Sequence, residues 1–161
     1  MGIEIKPAWA YREAIRELFR EYTDILIAGD PNFRDYLVKQ NFDKEIADLE
    51  MKYGAPWGRL YVAMVDGRVA GCVGLKKYEE GSCEIKRLYV RQNYRGLGIG
   101  KQLTSRVIND AEEIGYETVY LDTLPFLTTA IGMYRRMGFE DIPSYNGSPM
   151  ENLVYLKRPL K

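Results

Sequence analysis

Three glycines at alternate positions follow an arginine in Tyr94-Arg95-Gly96-Leu97-Gly98-Ile99-Gly100-Lys101, and the run passes straight into a helical pattern. Glycines leave backbone N–H groups with little side chain in the way. The first turn of a helix adds unsatisfied N–H donors and the positive end of the helix dipole, so this stretch is a candidate site for a phosphate or pyrophosphate. Spacing excludes two common versions of such a site. A Walker-type loop needs glycine five residues before its Gly-Lys pair and Ser or Thr after it; here those positions hold Arg95 and Gln102. The dinucleotide fingerprint needs Gly-x-Gly-x-x-Gly, whereas Gly96, Gly98 and Gly100 are spaced two and two. The chain contains no histidine, which removes histidine triads, histidine metal sites and the usual neutral-pH base. Acid–base chemistry must use Glu, Asp, Tyr, Lys, Cys or water, and no metal is expected.

The elements that position this stretch follow from apolar periodicity. Ile3 to Lys6, stopped by Pro7, reads as an edge strand, and Trp9 to Ala28 carries Ala14, Leu18, Tyr22 and Ile25 at helical spacing. A broken helical region runs from Phe33 to Tyr53 and closes at Gly54-Ala55-Pro56. Leu60 to Val65 and Arg68 to Lys77 are strands joined by Asp66-Gly67, a two-residue turn that needs positive φ, and Ser82 to Val90 returns after Glu79-Glu80-Gly81. After the glycine run, Ile99, Leu103, Val107, Ala111 and Ile114 form one apolar stripe, ended by Gly115. Thr118 to Asp122 is a short strand, so strand, helix and strand here call for a right-handed crossover and parallel pairing. Thr128 to Met137 is the last helix, and Phe139 to Ile142 and Asn152 to Leu156 are final strands. The class is α/β (α+β), antiparallel in the first half with a βαβ unit in the second.

At 161 residues the whole chain, 1–161, fits a single domain. Lys+Arg and Asp+Glu are both 23, so no net basic field exists to draw nucleic acid or an anionic membrane. No apolar run approaches the roughly 18 residues of a membrane span. Cys72 and Cys83 sit in apolar strand-like surroundings, which points to a cytoplasmic protein with reduced thiols rather than a disulfide scaffold. Cys83 is an unpromising acyl-enzyme nucleophile, because no histidine or metal is available to activate it.

In its context the glycine run resembles a known family. Arg95-x-x-Gly98-x-Gly100 follows a strand ending Leu88-Tyr89-Val90 and precedes a helix, a strand, and Ala130, Tyr134 and Gly138-Phe139. From about Leu60 to Leu156 this is similar to the GNAT superfamily of acyl-CoA-dependent N-acetyltransferases. The resemblance implies the GNAT-like fold, one mixed sheet of about six to seven strands flanked by about four helices. It implies acetyl-CoA as cosubstrate, with the amides of Arg95, Gly96, Leu97, Gly98, Ile99, Gly100 and Lys101 on the pyrophosphate and Leu88, Tyr89 and Val90 pairing with the pantetheine arm. Tyr134 matches the tyrosine that faces the CoA sulfur, a proton donor for the leaving thiolate, and Glu84 matches the position of a catalytic glutamate in some members.

The implied reaction is direct attack by a primary amine of a small molecule or peptide in a ternary complex. An alkyl ammonium of pKa near 10.4 must first lose a proton, which is the task of Glu84, of a water path, or of Asp122 in reserve. A free backbone N–H at a bulge near Val90 would stabilise the developing oxyanion. The resemblance places the acceptor groove at Tyr11 to Tyr36 and at Ser144 to Pro149, and makes homodimerisation an expectation. One position departs from the family: asparagine is common three residues before the alanine, where this chain has Leu127. That departure removes the contact or moves it to Thr128 or Thr129, and it is the feature that favours the alternative, a non-catalytic acyl-CoA-binding regulatory module.

Overall fold

A computed structural model describes residues 2–160; Met1 and Lys161, the ends of the expected domain, lie outside the described residues. The strands are β1 Ile3–Pro7, β2 Arg59–Val65, β3 Arg68–Glu79, β4 Ser82–Val90, β5 Thr118–Thr123, β6 Glu140–Ile142 and β7 Val154–Pro159. The helices are α1 Arg12–Gly29, α2 Phe33–Lys39, α3 Phe42–Ala47, α4 Leu49–Tyr53, α5 Ile99–Ile114 and α6 Thr128–Arg136. The expected broken helical region is thus three short helices, which raises the helix number above the four anticipated. Asn41, at φ 58, turns the chain between α2 and α3.

All seven strands form one sheet in the order β1-β2-β3-β4-β5-β7-β6. The β2–β3 hairpin turns through Asp66 and Gly67 at φ 50 and 79, the positive-φ pair that a two-residue turn requires. Helices α5 and α6 cover one face: Ile99, Leu103, Val107 and Ala111 pack against Val73, Leu75, Cys83, Ile85, Val119 and Leu121. On the other face α1 and α4 bury Ile15, Leu18, Phe19, Leu49 and Tyr53 against Leu60, Val62 and Cys72. A smaller cluster joins α1 and α2 to the chain around β7 through Leu26, Phe33, Tyr36, Leu153 and Tyr155. Each such aliphatic side chain contributes about 1.5–3 kcal/mol by leaving water.

One feature of the sheet shapes the site. The parallel pairing of β4 with β5 runs only through Ser82↔Thr118, Cys83↔Val119 and Glu84↔Tyr120, although β4 continues to Val90. On its other edge β5 pairs with β7 along its whole length, from Thr118↔Pro159 to Thr123↔Val154, whereas its pairing with β4 stops at Tyr120. The reason for the separation is a bulge in β4. Cys72 pairs with Tyr89 and Gly74 with Lys86, so Val73 alone faces both Arg87 and Leu88, and Arg87 takes φ 59. A bulge bends its strand and sharpens the twist, which swings the end of β4 away from β5 and leaves one edge of Leu88 to Val90 unpaired.

Candidate active site

The glycine run sits where the end of β4 meets α5. Gly96 and Gly98 have φ 83 and 80, and a Cβ added to either would meet nothing within 4 Å. Their glycines are therefore demanded by backbone conformation and not by crowding from the protein itself. Helix α5 opens at Ile99, and the first helical turn closes with Gln102 N–H donating to Gly98 O at 3.1 Å. The N–H groups of the preceding residues in that turn have no helical acceptor. Arg95 Nε donates to Val90 O at 3.1 Å, which ties the loop to the end of β4.

The run forms one wall of a cleft of about 700 Å³. A second wall is the free edge of β4, Leu88 to Val90, and a third is α6 with Thr128, Thr129, Ala130, Met133 and Tyr134. Every residue expected at the cofactor lines this cleft except Leu97, whose side chain packs toward the α5-face core instead. Leu127 caps α6 with no side-chain bond, and the neighbouring exposed Thr128 and Thr129 stand on the same wall. The cleft fits an elongated phosphorylated cofactor: open donors at one end, an unpaired strand edge along the middle, and a buried hydroxyl at the far end.

That hydroxyl belongs to Tyr134, which is 5% exposed and packs edge-on against Phe139 at 5.5 Å. Burial, with a smaller contribution from Tyr22, raises its pKa above the usual phenol range, so it holds its proton at neutral pH. Tyr134 also lines an inner pocket of about 30 Å³ between β4 and β5, which shares Tyr22, Leu88, Thr123 and Tyr134 with the cleft. The inner pocket is the gap opened by the splayed strands.

Two carboxylates lie on the α1 face of these strands, in different circumstances. Glu84 is outside the lining of both spaces; its Oε1 meets Lys76 Nζ at 3.3 Å and its Oε2 accepts from Tyr145 OH at 2.6 Å. Burial raises its pKa, but Lys86, Lys76 and the Tyr145 hydrogen bond outweigh burial, and the carboxyl is held below its ordinary range. Asp122 does line the inner pocket. It accepts from Asn146 Nδ2 at 2.6 Å and from Tyr36 OH. Burial first, and then Asp122, raise the pKa of Tyr36. The loop carrying Tyr145 and Asn146 thus reaches both carboxylates, and Tyr145 stacks on Tyr120 at 4.7 Å.

The structure brings together Tyr134, the β4 edge and the glycine run, and of the expected acceptor segments it places Tyr36 and Asn146 on Asp122 of the inner pocket and Tyr145 on Glu84. Tyr11, by contrast, packs against the α1-face core. The bulge lies at Arg87 and Leu88, earlier than the expected position near Val90, because Arg87 and not a glycine takes the positive φ. Cys83 is buried against the α5 side and burial pushes its thiol up to about 12, leaving it no nucleophile at neutral pH.

Sequence reasoning missed the group that holds the bulge. Arg87 donates through Nε and Nη2 to Glu45 Oε2 and Oε1, both at 2.9 Å, and through Nη2 to Gln40 Oε1 at 2.7 Å. Lys52 Nζ and Tyr53 OH complete the shell of Glu45 at 2.7 and 2.9 Å. Glu45 lies in a helix of charged residues and Arg87 beside a lysine in its strand, so neither stands out locally. Strand alternation could have found Lys86 and Asp122 on the pocket face; nothing local announces the Glu45–Arg87 pair, which spans 42 residues.

Known proteins share this family and fold. The model of the "Acetyltransferase (GNAT) family" matches residues 12–139. An uncharacterized N-acetyltransferase of Schizosaccharomyces pombe is 40% identical over 123 residues, 75% of this chain and 76% of that protein. A GNAT-family acetyltransferase of Staphylococcus aureus superposes with a TM-score of 0.76 at 23% identity, covering 99% of this chain and all of the other. The PaiA N-acetyltransferase of Thermoplasma acidophilum, solved in complex with coenzyme A, gives 0.73 at 21% identity over 99% of this chain and 100% of its own. With the mixed α/β sheet and a family match over most of its length, the chain belongs to the GNAT acetyltransferase family.

Proposed function

We propose that the protein transfers an acetyl group from acetyl-CoA to a primary amine of a small molecule or peptide, by direct attack in a ternary complex. The observation that carries this reading is one continuous path: the open amides at Gly96 to Lys101, the unpaired β4 edge, Tyr134, and the inner pocket beyond it. Acetyl-CoA, when bound, supplies a thioester carbonyl: a C–N bond forms, the C–S bond breaks, and the thiol leaves with a proton.

The residues of this chain have the following roles. Amides from Arg95 to Lys101 hold the pyrophosphate, and Lys101 adds a positive charge. The Leu88 to Val90 edge orients the pantetheine arm as an added strand would. The bulge aims a backbone N–H at the carbonyl oxygen. Tyr134 gives its proton to the sulfur. For the ammonium proton we place Asp122 ahead of Glu84, because Asp122 lines the inner pocket while Glu84 is satisfied by Lys76 and Tyr145. Glu84 then acts through Tyr145, fixing the loop that holds Asn146 against Asp122. Thr128 and Thr129 take the place of the family asparagine that Leu127 lacks.

Calorimetry with acetyl-CoA and thiol release against a panel of amines test the reading; a protein that binds no acetyl-CoA sinks it. Two variants sort the roles. Gly98→Val forces a β-branched residue to φ 80, and is expected to weaken acetyl-CoA about tenfold or more. Asp122→Asn is expected to lower kcat/KM about 100-fold and Glu84→Gln less than about tenfold; a Glu84→Gln enzyme that loses the amine-deprotonation limb of its pH profile would return the base role to Glu84.

A further inference from the structure

Three charged side chains line the inner pocket: Lys86, Arg87 and Asp122. Arg87 is already neutralised, since Glu45 binds it through both carboxylate oxygens. Among the described residues Lys86 has no carboxylate within 4.0 Å, and Asp122 has no lysine or arginine within 4.0 Å. Lys86 is near enough to Glu84 to depress its pKa, yet Lys76 holds the ion-pair position. Asp122 is held by two neutral donors, Tyr36 and Asn146, which fix its direction and leave its charge uncompensated. One cation and one anion, both half-buried, therefore face the same small space without ionic partners.

Candidate acceptors differ in how they meet these two charges. A simple alkylamine answers Asp122 and leaves Lys86 alone. A diamine or polyamine that reached Lys86 would set a second ammonium against it. A peptide amine carries an amide carbonyl where a countercharge is wanted. We infer that the acceptor is a small zwitterion of the amino-acid class, its ammonium held by Asp122 and its carboxylate by Lys86. Asp122 adjoins Thr123, one of the residues shared with the cleft, so the amine lies toward Tyr134 and the carboxylate away from it. The pocket volume of about 30 Å³ admits the charged head of such a molecule and little more. The inference rests on the proposed acetyl transfer.

The test uses the full chain. Glycine, alanine and serine are compared with methylamine, ethylamine and ethanolamine, each amine the amino acid without its carboxylate, at equal concentration of the neutral amine. Thiol release is expected to favour the amino acids by about 30-fold or more in kcat/KM. Lys86→Met is expected to bring that preference within about threefold, and Lys86→Arg to restore most of it. Calorimetry of the same six compounds on the CoA-saturated protein gives a readout independent of turnover. Equal kcat/KM, or equal affinity, for the amino acids and their partner amines overturns the zwitterion inference while leaving acetyl transfer standing. A protein that binds the amino acids selectively but releases thiol with none of the six keeps the zwitterion site and overturns the transfer reading.

Discussion

Tyr134→Phe lowers kcat by about 100-fold while the affinity for acetyl-CoA stays within about threefold of wild type. The expectation follows from where the hydroxyl is and what it lacks. The ring is held by burial and by Phe139, so Phe keeps the packing and the cleft wall. Tyr134 stands where cleft and inner pocket meet, together with Tyr22, Leu88 and Thr123. Lys101 and Arg95 line the cleft at the glycine-run end, and Tyr134 is the donor we assign to the leaving thiolate. A donor used only as the C–S bond breaks affects turnover and not ground-state binding. Because burial raises the phenol above its usual 10.0, the donor stays protonated throughout the range where amines deprotonate, and Tyr134 adds no falling limb below pH 10. Steady-state kinetics at saturating amine give the answer: unchanged kcat in Tyr134→Phe removes Tyr134 from the mechanism.

The sequence disclosed those parts of the site that depend on local backbone chemistry. Alternating glycines at a helix start can be read from Gly96, Gly98 and Gly100 because positive φ and open amides are properties of a few consecutive residues. Strand and helix limits were legible for the same reason: Ser82 to Val90 and the Asp66-Gly67 turn are set by alternation and turn chemistry. The splay of β4 from β5 was not legible. It depends on Arg87 adopting φ 59, for which a non-glycine residue gives no signal, and on Glu45 arriving from a helix 42 residues earlier. Glu84 and Asp122 illustrate the same limit. As isolated carboxylates on adjacent strands they look alike, and what separates them is a loop, Tyr145-Asn146, whose partners are set only when the chain has folded.

Removing Glu45 is expected to cost more stability than any other single change at the site. Glu45 is fully buried and Arg87 is 5% exposed. Glu45→Ala leaves Arg87 buried with only Gln40 as acceptor and takes the carboxylate from Lys52 and Tyr53 as well. Breaking a buried pair in this way costs about 3–5 kcal/mol, which for a chain of this size lowers Tm by about 10 °C. The same group sets an acid limit. Burial pushes its pKa up, but the charge and hydrogen bonds of Arg87, then those of Lys52, more than reverse this and hold Glu45 at about 2, against an ordinary 4.5. A depressed folded pKa gives stability that is fully present above the unfolded value and drains away as pH falls through the folded one. The window is therefore pH 4.5 down to about 2, and the amount lost is about 3 kcal/mol. Urea unfolding of wild type and Glu45→Gln across that range should show the wild type losing more stability than the variant; parallel losses would mean that Glu45 is not clamped. Since Arg87 forms the bulge, the folded fraction of Glu45→Gln should also transfer acetyl more slowly, with kcat falling while affinity at the glycine run, anchored by α5 and Arg95, holds. A variant with full kcat per folded molecule would show that the bulge keeps its shape without its buried ion pair.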